Sequence, residues 1–226
     1  MINIKNLNKT YGFVHALRDV NLHIQDGYVY GVVGSNGAGK TTLFECIAGL
    51  INYSGSIEFT GNNIKNQMGF LHTEPYFPSL ITGREYLQLI CNARKLKSVD
   101  FDETNIFELP LNSYVSTYST GMKKKIALTG ILLQKNQVYI LDEPFNGIDV
   151  QSNMLVTEIL LRLKAKKKTM IISSHILSTL SEVCDYYVVL KDGKIDKNVN
   201  KEAFQDIEKE IRRAEIGNKI EKLKLG

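Results

Sequence analysis

Cysteine is scarce. Cys46, Cys91 and Cys184 stand far apart in 226 residues, with no CxxC pair and no Cys/His spacing suited to a metal. An odd, scattered set gives no disulfide framework or zinc cluster, and reads as reduced thiols packing as small apolar side chains in a cytosolic protein. Long apolar runs are missing too. No stretch approaches the ~18–20 continuous apolar residues of a membrane helix, and the opening MINIKNLNKT has no apolar core of signal-peptide length. The chain is therefore expected to be soluble, with any membrane role supplied by a partner. Nor is there a dominant charge: 28 Lys and Arg against 24 Asp and Glu leave a net +4. That excess is too mild to argue for or against a polyanionic partner. No internal repeat or low-complexity linker divides the chain. What is present, 43% hydrophobic and 23% charged residues, suffices for one large domain or a domain carrying an inserted subdomain.

Short apolar runs alternate with helical spacing, the pattern of an α/β fold with a largely parallel sheet. A strand is expected over Tyr28 to Val33, followed by a glycine-rich turn and a helix, KTTLFECIA, that stops near Gly49. Val138 to Leu141, Thr169 to Ser173 and Tyr186 to Leu190 read as buried strands, and the first two run directly into polar residues. Ligands in open α/β sheets sit beyond the carboxyl ends of the strands, so those polar residues should converge on one site. Asp192-Gly193 is a hairpin turn signal. Between residues 73 and 135 the pattern turns helical. Thr82 and Glu85 form a capping box ahead of Tyr86, Leu87, Ile90 and Cys91 on one face, and a second helix is expected from Ser119 or Thr120 through KKKIALTGILL. This region reads as a helical insert in a nucleotide-binding core made of residues 1–72 and 136–226.

Gly34-Ser35-Asn36-Gly37-Ala38-Gly39-Lys40-Thr41 matches G-x-x-x-x-G-K-S/T between an expected strand and an expected helix. Its glycines let backbone N–H groups wrap a phosphate chain without Cβ clashes, and the helix N-terminus adds positive potential. Lys40 suits the β- and γ-phosphates, the Thr41 hydroxyl suits magnesium, and Thr42 continues the cradle. By itself this loop leaves GTPases, kinases, helicases and RecA-like motors open. Asp142-Glu143 narrows the choice, because VYILDEP is an apolar strand ending in two carboxylates. The first suits a magnesium ligand and the second a group that polarises attacking water. Side chains alternate along a strand, so Glu143 can act only if the chain turns there, as Pro144 encourages.

Tyr118-Ser119-Thr120-Gly121-Met122 resembles the signature of the ATP-binding cassette (ABC) family, and the other motifs follow in that family's order. Asn146-Gly147-Ile148-Asp149 is similar to its D-loop, His175 after Ser173-Ser174 to its switch histidine, and Tyr11 in KTYG to the aromatic that stacks on adenine. The resemblance runs from about residue 2 to residue 195 and is most like the separate-chain exporter ATPases. It implies a P-loop NTPase core with a mostly parallel sheet, an antiparallel β-subdomain and an inserted helical subdomain. It implies ATP and magnesium as ligands, a cytoplasmic ATPase subunit peripheral to the membrane, and a membrane subunit on a separate chain. It implies two copies in a head-to-tail sandwich, each ATP held by Lys40 and Thr41 of one chain and Ser119 and Gly121 of the other. Nucleic acid is not expected, because ribosome-acting relatives carry two cassettes in one chain and DNA-acting ones long coiled-coil inserts. Those non-transport ATPases are the rival reading.

Two positions depart from the family pattern. Thr73 stands where the family offers a glutamine, and is expected to be too short to reach magnesium or the attacking water. Thr120 replaces a signature glycine. Slow or partner-dependent hydrolysis is the expectation. Lys123 to Lys125 read as a solvated face or as neighbours of the second copy's phosphates. Lys166 to Lys168 read as cations meeting a helix C-terminus. Phe204, Ile207, Ile211 and Ala214 place an amphipathic helix in the tail, packing on the core or offering a docking surface.

Overall fold

The computed structural model describes residues 1–60, 64–174 and 177–212. Two sheets organise it. β1 (Ile2–Tyr11), β2 (Val14–Ile24) and β4 (Ser54–Phe59) form a three-stranded sheet in the order β2-β1-β4, antiparallel throughout. The six-stranded sheet runs β5 (Met68–Leu71), β6 (Val138–Asp142), β7 (Thr169–Ser173), β3 (Val29–Val33), β8 (Tyr186–Lys191), β9 (Lys194–Asn200). Its first five strands are parallel and β9 returns antiparallel beside β8. Asp192 and Gly193 make that return, both with positive φ (47° and 77°), as a tight hairpin whose twist matches its strands requires.

The central strands are buried on both faces, and alternate residues enter two separate cores. Val29, Val33, Tyr139, Leu141, Met170, Ile172, Tyr187 and Val189 face one hydrophobic cluster; Tyr30, Val32, Val138, Ile140, Ile171, Val188 and Leu190 face the other. The period of two along a strand produces this division. On the second face lie α1 (Lys40–Ala48), through Leu43, Phe44 and Ile47, and the antiparallel sheet. On the first lie α2 (Gly83–Ala93), α3 (Thr120–Leu133), α4 (Val150–Ala165), α5 (Leu177–Val183) and α6 (Lys201–Arg212). Each fully buried Leu, Ile or Phe in these layers stabilises the fold by about 1.5–3 kcal/mol.

Helix boundaries follow local chemistry. α1 stops at Gly49, whose φ of 68° closes a left-handed cap. α2 opens on the expected capping box, and Leu87 and Cys91 are buried on its apolar face. α4 ends at Ala165, so Lys166 to Lys168 follow the helix and its last-turn cations are Arg162 and Lys164. α6 docks through Phe204, stacked on Tyr187 with centroids 3.6 Å apart, and through Ile207. Ile211 falls within α6, and Ala214 lies outside the described residues. All three cysteines are buried and free, and burial pushes the Cys46 thiol up to about 11.

The region between α2 and α3 is less helical than its sequence suggests. Residues 94–119 carry a single short 3-10 turn at Val115–Thr117 and are otherwise irregular. The Asp100 and Asn105 side chains cap successive turns by accepting backbone N–H groups. Phe101, Phe107, Leu109, Leu111, Val115 and Tyr118 nonetheless bury, joining the cluster that covers the sheet. Asx turns won over helix here because Asp and Asn bond nearby backbone more readily in turns.

Candidate functional site

β6 and β3 both pair with β7, so the carboxyl ends of these three strands sit side by side, with Asp142 opposite Ser173 and Ser173 opposite Val32. Asp142 shares the parity of Val138 and Ile140, and therefore points to the face that carries α1. There it accepts three hydroxyls: Thr41 at 2.6 Å and Thr73 at 2.7 Å on Oδ2, and Ser173 at 2.5 Å on Oδ1. The loop between β3 and α1 lies over them. Gly39 adopts φ 105°, and a Cβ there would fall 2.5 Å from the Ala16 carbonyl oxygen, so glycine is needed for both backbone and space. Lys40 is 8% exposed, and its ammonium donates to the carbonyls of Gly34 and Ser35 at 2.7 and 3.1 Å.

A cavity of about 430 Å³ opens here, lined by Asn36, Gly37, Gly39 to Thr42, Thr73, Asp142 and Glu143, and on its other side by Val14, His15, Ala16, Arg18 and the Asp192-Gly193 turn. Glu143 would follow Leu141 to the opposite face if the strand continued. Its φ of 52° breaks that alternation, and both carboxylates line the same cavity. Such a backbone is sparsely populated for a residue with a side chain and is held by its surroundings. The Glu143 N–H donates to Ser173 Oγ at 2.9 Å, and its carbonyl accepts from Lys124 Nζ at 2.8 Å.

Asp142, Thr41 and Thr73 present hard oxygen donors converging at one point. That is the chemistry magnesium takes from a protein when phosphate oxygens and water complete its shell. The residues fit the ion. The Thr73 hydroxyl donates to the same carboxylate oxygen as Thr41, because β5 pairs in parallel with β6 and its end lies beside Asp142.

Ser119, Gly121 and Asp149 do not line this cavity; they lie where α3 meets the loop before α4. Ser119 caps α3, accepting from the Met122 N–H at 3.2 Å. A Cβ on Gly121 would lie 2.5 Å from the Gly147 carbonyl oxygen. Lys125 joins Asp149 at 3.1 Å, and Asp149 caps α4 by accepting from the Ser152 N–H at 2.8 Å. The Ser152 backbone and hydroxyl and then Lys125 hold the Asp149 carboxyl well below the usual carboxylate range. Tyr11 ends β1 at 47% exposure with the Lys9 ammonium 4.7 Å from its ring centroid. It is not among the cavity-lining residues, although its strand neighbour Val14 is. His175 lies outside the described residues.

Two participants were not singled out from sequence. Ser173 is the middle of the three strand ends, and its pairing opposite Asp142 is a tertiary fact. Lys124 contradicts the solvated-face reading of Lys123 to Lys125: it is 2% exposed and turned toward Glu143. Among the described residues no helix is long and apolar enough to cross a membrane.

The model of a family described as ABC transporter matches residues 17–146. A bacitracin transport ATP-binding protein of Enterococcus faecalis is 32% identical over 213 residues, 88% of this chain and 69% of that protein. A lantibiotic transport ATP-binding protein of Streptococcus pyogenes is 32% identical over 209 residues, covering 86% and 89%. Among solved structures, an ATP-binding subunit of an ABC transporter superposes with a TM-score of 0.80 at 27% identity, over 95% of this chain and 92% of that one. A dimeric ATP-binding cassette in a post-hydrolysis state, bound to ADP and Pi, gives a TM-score of 0.80 at 21% identity, over 89% of this chain and 99% of that one, a likeness of fold.

Proposed function

The chain belongs to the ABC transporter family, and from that premise we propose that it is the ATP-hydrolysing subunit that powers transport, in the export direction, through a membrane subunit on a separate chain. The observation that carries this reading is the Asp142 carboxylate, gathering the Thr41, Thr73 and Ser173 hydroxyls under the phosphate loop. The loop N–H groups from Gly34 to Lys40 receive the phosphate chain, and Ser35 to Ala38 shape its turn. The Lys40 ammonium exchanges its two loop carbonyls for β- and γ-phosphate oxygens. Thr41, Asp142 and Thr73 would hold magnesium, which when bound would supply positive charge against the phosphates. Glu143 polarises the attacking water, and His175 is assigned to the γ-phosphate. The adenine lies against the β1–β2 hairpin, with Tyr11 as its stacking ring.

Ser119 and Gly121 serve the ATP of a second copy. Their separation from the cavity of their own chain supports a head-to-tail pair, with Asp149 at the seam. Substrate transport belongs to the membrane partner, so the chain works as a cytoplasmic subunit bound peripherally. Transport rather than ribosome or DNA work is supported by the bacitracin and lantibiotic transport proteins among its relatives.

Glu143→Gln tests the assignment. Turnover of magnesium-ATP by the purified chain is expected to fall by about 10²–10⁴ while an ATP-bound dimer accumulates. Unchanged turnover would remove Glu143 from the chemistry and favour an ATP sensor. Purification from membranes, with identification of the integral protein that accompanies the chain, tests the partner; a ribosomal companion would reverse the reading.

A further inference from the structure

Lys124 sits one turn into α3, 2% exposed, with its ammonium donating to the Glu143 carbonyl oxygen at 2.8 Å. An ammonium removed from water is retained only where acceptors and opposite charge compensate it. Burial lowers its pKa, and Glu143, Asp142 and Glu74 act in the opposite direction. The peptide it grips is a demanding one. Glu143 holds φ 52°, a region a residue with a Cβ occupies only when its surroundings over-determine it. Its N–H is fixed by Ser173 on the neighbouring strand, and its carbonyl accepts from the Asn146 N–H of its own turn at 3.1 Å and from Lys124. Of these three, Lys124 alone reaches from the helical layer.

We propose that Lys124 is a positioning residue for hydrolysis: its ammonium clamps the Glu143 peptide in the left-handed conformation and ties the aim of that carboxylate to the position of α3. The proposal rests on the assignment of Glu143 to the attacking water. α3 begins at Thr120 behind the Ser119 cap, so one helix carries the contact to the second copy's ATP in its first turn and the clamp on its own Glu143 just beyond it. A shift of α3 when the two copies close moves the peptide that aims Glu143. Each ATP site is thereby informed that the other is filled.

Lys124→Met keeps the apolar stem and removes charge and donor. In the purified full chain, kcat is expected to fall about tenfold or more while KM for magnesium-ATP stays within about twofold. Placed on Glu143→Gln, the same change should lower the residual turnover by less than about twofold, since both act on one step. A wild-type kcat, an equal loss of ATP affinity, or full additivity with Glu143→Gln overturns the proposal. Should Lys124→Met not fold, Lys124→Gln is read instead: kcat lowered several-fold at unchanged KM supports the charged clamp, and wild-type kcat overturns it. A fast Glu143→Gln enzyme removes the parent assignment and the clamp together. A slow Glu143→Gln beside a fast Lys124→Met removes only the clamp.

Discussion

α2 and α3 pack against each other, and each opens on a hydroxyl, Thr82 in one and Ser119 in the other. Beyond that first residue they diverge. In α2 the third helical position is Glu85, whose carboxylate accepts from the Thr82 N–H and hydroxyl at 2.8 Å while its own N–H donates to Thr82 Oγ1 at 3.2 Å. The box satisfies the end of the helix from within and places a negative charge on its positive pole. In α3 the third position is Met122, and the first turn carries no acid. The same holds for the first turn of α1, beneath the phosphate loop. A helix end that neutralises itself is finished. An end without its own carboxylate keeps its dipole, and the N–H groups that the cap hydroxyl does not take, for an incoming anion.

Exchanging the two designs is the most direct way to break this comparison. Met122→Glu puts a carboxylate at the third position of α3, where it can fold back on Ser119 and repel phosphate. Turnover is expected to drop about tenfold or more, with ATP affinity of the chain's own loop unchanged. Met122 is partly buried against the core, so Met122→Gln serves as the control: an amide of similar size should keep turnover close to that of the parent. Equal losses in the two variants would assign the effect to packing and leave the end of α3 without a special role.

The same two helices show what a sequence displays and what it hides. The capping box of α2, the Gly49 stop of α1 and the Asp192-Gly193 hairpin are local devices, complete within a few residues, and all three are visible in order along the chain. So are the phosphate loop and the Asp142-Glu143 strand end, because strand–turn–helix spacing is itself the signal. Ser173 and Lys124, and the bond that Thr73 makes to Asp142, are visible only once β5, β6 and β7 are laid side by side and α3 is packed on them. Lys124 is the sharpest case, since three consecutive lysines on a helix ordinarily face water, and only the packing of α3 shows that the middle one is turned inward. The irregular stretch 94–119 escaped because buried aromatics there follow turns instead of a helical period.

Thr73 ties the end of β5 to the phosphate corner as Lys124 ties α3, but through a hydroxyl on Asp142. The family's glutamine at this position is longer and carries its own acceptor. Thr73→Gln is therefore expected to raise basal turnover of the purified chain by about three- to tenfold, the scale of one added hydrogen bond in the transition state. The wild-type chain should be slow without its membrane partner. A fast wild-type rate, or no gain on introducing glutamine, would show that a threonine hydroxyl serves this corner as well as an amide does.

The smallest effect belongs to the finished end. Thr82→Ala removes the cap acceptor of α2 and the hydroxyl that donates to Glu85, leaving only the backbone N–H on that carboxylate, and should lower Tm by about 2–4 °C while leaving kcat and KM for ATP alone. The pH dependence separates a capping box from loose packing. Hydrogen bonds from the Thr82 backbone and then its hydroxyl lower the Glu85 pKa, so the folded carboxyl binds its proton less readily than the unfolded one. The stability it adds is present above the unfolded carboxylate range, near 4.3, and is lost as pH falls through the lower folded value. The Tm difference between wild type and Thr82→Ala should therefore be constant from pH 8 to about 5.5 and narrow below about 4. A difference that stays the same down to pH 3 would mean that Thr82 acts by shape alone, and α2 would then be no more closed to anions than α3.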